Sequence, residues 1–352
     1  MQTTDLPLFV CLISIWSCST LRTRNILIDS QYFSTWPGYG GVEALIQLSI
    51  AFAEAVSNRT ERVFIGGSNA TFNINYLETY TEMYGSKLVR SSKLLSELLP
   101  GDLYIIPESV NCPQTAPNGT IVIIYLLSNA FVCRPNSTLG QTSRYISHNN
   151  HLTQYFNLSR EEIIHPYVSE RIVQHAVNKA GLVYDGSILQ RHTQLLKQNL
   201  ILIDNDVPNH IRKLFQHVCA KLGGRTLLLN RLSYSQIISA YGEAKVVVDW
   251  DMRGSERCPL ESSLFGALLI TNGRETGGNF VDFPIPPEFV IPPSVDHQQL
   301  HAILTNIIRK IFSEYWSLVP FYAPLRRTIL GHTAKTMAKD CFQFLDTLPL
   351  LS

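Results

Sequence analysis

The densest run of chemically capable residues lies at 249–279, DWDMRGSERCPLESSLFGALLITNGRETGGN. A strand ends there, the chain turns at Arg253 and Gly254, and Glu256, Arg257 and Glu261 follow in quick succession. Pro259 is pre-set for the first turn of a helix, which places Glu261 near its start. The planar fork of Arg257 suits phosphate oxygens. Glu261, at the edge of a cleft, could accept hydrogen bonds from ribose hydroxyls, and Glu256 could take part in proton transfer. Thr276, Gly277 and Gly278 form a Gly-rich loop that can turn backbone N–H groups toward a diphosphate. Any one of these residues reads equally well as a salt-bridged helix start beside an ordinary turn. The ordered set points to an anion-binding edge. Asp249 and Asp251 have the spacing of a D-x-D metal pair, but they follow a late strand and read as loop residues, so no metal ligands are expected.

Three other places carry weaker chemistry. Trp36 to Gly41 (WPGYGG) sits between a strand and a helix, so Gly40, Gly41 and the amides after them could face phosphates. The same Gly pair also suits a tight strand-to-helix turn. His148, Asn149, Asn150 and His151 follow a short strand, where a His could shuttle a proton and the polar groups could touch sugar hydroxyls. Arg191 and Lys197 precede the second half and read as solvated more readily than phosphate-binding. No G-x-S-x-G and no GxxxxGK[ST] occurs, which argues against serine hydrolases and P-loop NTPases.

The elements that must position these residues alternate in type. Strands are expected at 24–29, 62–65, 102–107 and 121–127, with short ones near 145–147 and 163–164, and an amphipathic helix at 42–56. A second series has strands at 200–204, 226–229, 246–249 and 268–271, with helices at 207–222, 234–242 and 259–265. The run IVIIYLL at 121–127 is apolar on both faces, as a central parallel strand covered by helices requires. The Pro-rich piece 282–293 reads as a loop, and helices are expected at 296–317 and 322–346. This spacing predicts doubly wound parallel sheets, whose ligands sit at the carboxyl ends of the strands.

The chain has 352 residues, of which 45% are hydrophobic and 16% charged, so it can build two cores and is not disordered. Its 29 Lys+Arg against 28 Asp+Glu leave +1, which argues against a general nucleic-acid binder. Leu6 to Trp16 is too short to span a membrane and fits the apolar region of a signal peptide, although no basic residue precedes it. Five N-x-S/T sequons, at Asn58, Asn69, Asn118, Asn136 and Asn157, all fall in the first half. The expected setting is the lumen of the secretory pathway or the exterior, with membrane association only through the leader; without a working leader it is the cytoplasm. Of seven cysteines, Cys112 and Cys133 sit in loop-like contexts and are the expected disulfide.

The segment GSERCPLESSLFGALLITN resembles the C-terminal signature of GT-B glycosyltransferases, in particular the retaining group related to glycogen synthase. Glu261, Gly266 and the strand 267–271 take the places of that family's ribose-binding Glu, its Gly and its apolar strand. The stretch through Asn279 and Phe283-Pro284-Ile285-Pro286 is similar to a branch with an acidic–Arg pair where Glu256 and Arg257 stand. The likeness is detailed over 249–290. It implies an α/β chain of the GT-B kind, two Rossmann-like doubly wound domains facing a central cleft. The implied division is a leader at 1–20, an acceptor-side domain at 21–165, a nucleotide-sugar domain at 166–325, and a C-terminal helix at 326–352 crossing back. It further implies transfer of a sugar from a nucleotide-sugar donor to a glycan, lipid or protein acceptor, with retention, no metal and no separate cofactor. Glu256 and His148 are the catalytic candidates. Gly40, Gly41, Arg253, Gly254, Arg257, Glu261, Thr276, Gly277 and Gly278 are the donor-binding ones. One departure stands out: the usual signature has an earlier Glu, which contacts the transferred sugar, and Arg253 occupies that position. The alternatives are a catalytically inactive nucleotide- or glycan-binding protein on the same fold, and a sugar-nucleotide epimerase.

Overall fold

The computed structural model describes residues 24–29, 40–57, 62–66, 95–107, 116–127, 144–189, 197–254 and 256–348. The leader, the proposed Cys112–Cys133 pair and residues 30–39 of the first Gly-rich loop lie outside them, as do Arg191 and three of the five sequons. Among the described residues no helix is long and apolar enough to cross a membrane.

Two parallel five-stranded sheets organise the chain. The first has β1 (Asn25–Asp29), β2 (Arg62–Gly66), β3 (Leu103–Pro107), β4 (Ile121–Leu126) and β5 (Arg144–Ser147), in the order β2-β1-β3-β4-β5. The second has β6 (Gln198–Ile203), β7 (Arg225–Leu228), β8 (Ala244–Val248), β9 (Leu268–Asn272) and β10 (Val290–Ile291), in the order β10-β9-β8-β6-β7. Counted within its own lobe, each sheet has the order 2-1-3-4-5. In both the chain reverses direction across the sheet after two strands, so crevices form at the carboxyl ends of β1 and β3 and of β6 and β8. The α/β class and the two doubly wound sheets are those that the sequence predicts. All six residues of β4 are buried, which accounts for its unbroken apolar run.

Helix α1 (Gly40–Ala55) follows β1, and α2 (Asn150–Phe156) follows β5. The rest of the chain adds α3 (Glu170–Ala180), α4 (Asn209–Lys221), α5 (Tyr234–Glu243), α6 (Arg257–Leu264), α7 (His297–Leu318), α8 (Ala323–Gly331) and α9 (Ala334–Asp346). Three expectations are corrected. The helix foreseen at 322–346 is broken: His332 is extended, and Thr333 opens α9 with its own capping box to Thr336. The loop foreseen at 282–293 contains a short turn of 3-10 helix and the edge strand β10. The strand foreseen near 163–164 amounts to a single parallel bridge between Ile163 and Ser147.

Helix α9 packs on the first lobe although its sequence neighbours belong to the second. Met337, Cys341, Phe344 and Leu345 recur at helical spacing and join the core built by Leu45, Leu48 and Phe52 of α1. The rings of Phe52 and Phe344 meet edge-on with centroids 6.5 Å apart. The earlier crossing, between α2 and α3, is pinned by Gln47, whose amide donates to the Tyr167 carbonyl (2.8 Å) and accepts from the Tyr167 N–H (3.1 Å). The chain therefore crosses between lobes twice, and α1 receives both crossings.

Candidate functional site

Helix α6 begins at the carboxyl end of β8, so its first turn looks across to the first lobe. Arg257 opens that turn, and Glu261 follows one turn later and is 4% exposed. Its Oε1 accepts from Arg257 Nε at 2.8 Å and lies 2.6 Å from Nη2, and its Oε2 accepts from the Tyr241 hydroxyl at 3.1 Å. The other arm of Arg257 pairs with Glu43 on α1. One guanidinium thus joins a carboxylate of each lobe, and Glu261 stands at their boundary. Burial pushes the Glu43 carboxyl well above the usual range, and the Glu261 charge adds to the effect. A carboxylate offers about four lone-pair sites, so Oε2 of Glu261 keeps one for a further donor.

Gly254 marks a second close approach between the lobes. A Cβ there would fall 2.3 Å from the Leu127 carbonyl oxygen and 3.0 Å from His148 Nε2, so only glycine fits. His148 is nearly fully buried, and its Nδ1 lies 2.6 Å from the Leu126 carbonyl. A carbonyl only accepts, so the proton sits on Nδ1 and Nε2 is the acceptor. Burial lowers the His148 pKa to about 4, which leaves the ring neutral near pH 7. The structure thus suits His148 to accepting a hydrogen bond better than to supplying a proton.

The neighbours of His148 hold the lobes together. Asn149 caps α2 through its side-chain oxygen, and its amide reaches Thr276 Oγ1 at 3.4 Å. Asp282 of the second lobe accepts from the N–H groups of Asn150 (2.9 Å) and His151 (2.8 Å). The roles foreseen at sugar hydroxyls are here occupied by lobe-to-lobe bonds. A cavity of about 1200 Å³ lies beside them, lined by His148, Asp282, Leu260, His165 and His332 among others.

The Gly-rich loop is arranged differently from expectation. Glu275–Gly278 forms a turn of 3-10 helix, and the Thr276 amide already donates to the Met252 carbonyl at 3.0 Å. A Cβ on Gly277 would meet Thr271 Oγ1 at 2.6 Å, and one on Gly278 the Gly273 carbonyl at 2.5 Å. These glycines allow the loop to fold against β9, and the Thr276 N–H is not free for a diphosphate. Gly40 and Gly41 form the first turn of α1, three residues ahead of Glu43 at most.

Glu256 sits apart from His148, among acidic groups. Its pKa is pushed up to about 7 by burial and then by the charges of Asp206 and Asp204. Asp204 follows β6 and is pushed up to about 6 by burial and by Asp206, while buried Asp249, following β8, is also raised. Arg253 is exposed and its charge partly offsets that of Asp206. Asp251 turns elsewhere: its carboxylate accepts from Asn272 at 2.6 Å, and its φ is +57°. Lys197, foreseen as solvated, instead caps α5 by donating to the carbonyls of Tyr241 (3.1 Å) and Ala244 (2.7 Å), and burial lowers its pKa to about 7.

Glu43, Tyr241, Asp204, Asp206 and Asp282 join the site without having been singled out from the sequence. Asp204 carried the clearest signal, as an acidic residue closing an apolar strand; the others are brought in by tertiary folding alone.

No protein-family model matches the chain, and no curated protein sequence matches it. Among solved structures it is similar to AviGT4, a glycosyltransferase involved in avilamycin A biosynthesis, with TM-score 0.49 and 12% identity over 92% of this chain and 96% of that one. It is also similar to the catalytic domain of starch synthase IV from Arabidopsis thaliana bound to ADP and acarbose, with TM-score 0.47 and 8% identity over 92% and 99% of the two chains. The glycotransferase of kitacinnamycin gives TM-score 0.47 and 11% identity over 93% and 100%.

Proposed function

We propose that the protein is a glycosyltransferase that moves a sugar from a nucleotide-sugar donor, bound mainly by the second lobe, to an acceptor bound by the first. The observation that carries this reading is the placement of Glu261 on α6, one turn after Arg257, at the lobe boundary and joined through Arg257 to Glu43. A carboxylate with a remaining acceptor site suits the ribose hydroxyls, and the guanidinium beside it suits the diphosphate. Arg253 and Arg257 supply the positive charge that stabilises the leaving diphosphate as the bond at the anomeric carbon breaks. The first-turn amides of α1, from Gly40 and Gly41, face the same task from the first lobe. Retention of configuration follows from the sequence resemblance. With Glu261 engaged in binding, Glu256 is the candidate for proton transfer, and neutral His148, whose Nε2 faces the Asn149 amide at 3.3 Å, helps to hold the lobe boundary. The exposed sequons at Asn118 and Asn157 support a secretory-pathway setting.

A second reading has its own support. Arg253 stands where the family's sugar-contacting Glu would be, which favours a nucleotide- or glycan-binding protein without turnover. A thermal-shift screen against UDP-, GDP- and ADP-sugars tests the first requirement. Saturation at 100 times Kd stabilises by about 2.7 kcal/mol, a readily measured shift. One nucleotide class is expected to raise Tm, and release of nucleoside diphosphate on adding acceptor separates transfer from binding. No shift with any donor would count against both readings.

A further inference from the structure

The second lobe has a group of side chains that the transfer chemistry above does not use. Asp204 and Asp249 follow adjacent strands β6 and β8, so they flank the crevice where the chain reverses direction across the sheet. Their positions are fixed by the backbone: the Asp204 N–H donates to the Val248 carbonyl at 3.0 Å and the Asp249 N–H to that of Ile270 at 3.3 Å. Asp206 approaches from the turn that leads into α4. Carboxylate oxygens of the three residues lie within 4.8 Å of one another. Glu256 faces the same group from the start of α6.

Two observations point to a ligand. Asp249 is fully buried, yet among the described residues neither carboxylate oxygen has a well-formed hydrogen bond, the adjacent Trp250 N–H acting on them only weakly. A buried carboxylate without partners is costly and rarely tolerated. The charges also fail to balance. Among the described residues, Asp204, Asp206, Asp249 and Glu256 crowd together, with Arg253 offsetting part of the charge at Asp206, while the Cys258 thiol donates to Asp204. A positive charge among these oxygens would supply the partners that Asp249 lacks.

We infer that Asp204, Asp206 and Asp249 form a binding site for one hard divalent cation at the strand-end crevice of the second lobe. The donor set is carboxylate oxygen alone, which selects Mg²⁺, Mn²⁺ or Ca²⁺ over softer metals. Three protein ligands leave coordination positions open for water or a phosphate oxygen. This departs from the metal-free transfer that the sequence resemblance implies. A cation there also removes the repulsion that the three aspartates exert on a diphosphate entering the crevice.

The test is Mn²⁺ titration of the full chain without any nucleotide sugar, followed by calorimetry and by loss of the free Mn²⁺ resonance signal. One Mn²⁺ per chain is expected, with displacement by Mg²⁺ or Ca²⁺. Asp249→Asn is expected to weaken binding at least tenfold. Asp206 is exposed, so Asp206→Asn tests the site even if Asp249→Asn fails to fold, and it is expected to weaken binding to a similar degree. Asp251→Asn, whose side chain is bound to Asn272, should weaken Mn²⁺ binding far less than Asp206→Asn does. Absence of binding at millimolar Mn²⁺, or equal affinity in the parent and Asp206→Asn, would overturn the inference. Donor binding is a separate measurement, so its failure and the failure of the cation site are told apart.

Discussion

Arg257 is the residue on which the boundary between the lobes depends most. It pairs with two carboxylates that are themselves almost fully buried, Glu43 at 2% and Glu261 at 4% exposure. Removing one partner of a buried ion pair leaves charge uncompensated, at a cost of about 3 kcal/mol or more. Protonation of Glu43 relieves part of this, since its carboxyl is already raised. Arg257→Ala is expected to lower Tm measurably even without ligand, with a smaller loss at acid pH, where the raised Glu43 carboxyl is protonated. An unchanged Tm at pH 7.5 would show that the pairs contribute nothing. Arg257→Lys should rescue poorly, because an ammonium cannot engage two carboxylates through separate faces of a planar fork. Glu261 and Arg257 were legible in the sequence because they lie four residues apart on one helix start. Their partners were not: Glu43 and Tyr241 arrive from helices far away in the chain. Thr276 shows the opposite difficulty. Its loop reads as anion-binding from composition, yet its amide is consumed by the Met252 carbonyl, a bond that no local pattern reveals.

Among the elements, α9 has the clearest energetic role. It returns to the first lobe and buries Met337, Cys341, Phe344 and Leu345 against α1. Phe344→Ala removes a ring from a closed core, and the cost is about 3–5 kcal/mol. Chemical denaturation should show this loss; because α9 covers α1, which carries Glu43, donor affinity should fall as well. A change under 1 kcal/mol would mean that α9 does not share the core. The strands were the most legible elements, since short apolar runs closed by acidic or turn residues leave little ambiguity. The break between α8 and α9 was visible in principle, as Gly331 followed by Thr333 with Thr336 three residues on. It was masked by the apolar period, which continues through the break. Strand β10 was hidden because its two residues pair with β9 only after the Pro-rich segment has folded over the sheet edge.

Across the molecule, the two lobes meet around a cavity lined by one buried and two half-buried imidazoles. His165 and His332 stack with ring centroids 4.3 Å apart, one from each crossing of the chain, and His148 lies nearby. Burial lowers all three pKa values, to about 4 for His148 and His332. Asp282 favours their charged forms, while the His165 charge opposes that of His332. Between roughly pH 4 and 6.5 the unfolded chain therefore binds more protons at these sites than the folded one, so their contribution to stability falls as the solution is acidified. Asp340, raised by burial to about 6, acts with the opposite sign. The informative quantity is accordingly the difference between the parent and His332→Gln. Tm of the variant should fall less steeply from pH 7 to 4.5; equal slopes would contradict the assignment. The two-lobed architecture was readable from strand–helix alternation, but the contacts that close it were not. Asp282 on the α2 amides, Gly254 against Leu127 and Gln47 on Tyr167 all join segments far apart in sequence, and their chemistry appears only once both sheets are in place.

The most direct measurement is the affinity of the parent and of Glu261→Gln for the donor that raises Tm, compared with the same donor lacking its ribose hydroxyls. If Glu261 holds the ribose, the deoxy donor binds the parent at least tenfold more weakly, about 1.4 kcal/mol, and the variant shows no further loss. Equal losses in parent and variant would place the ribose elsewhere and contradict the account.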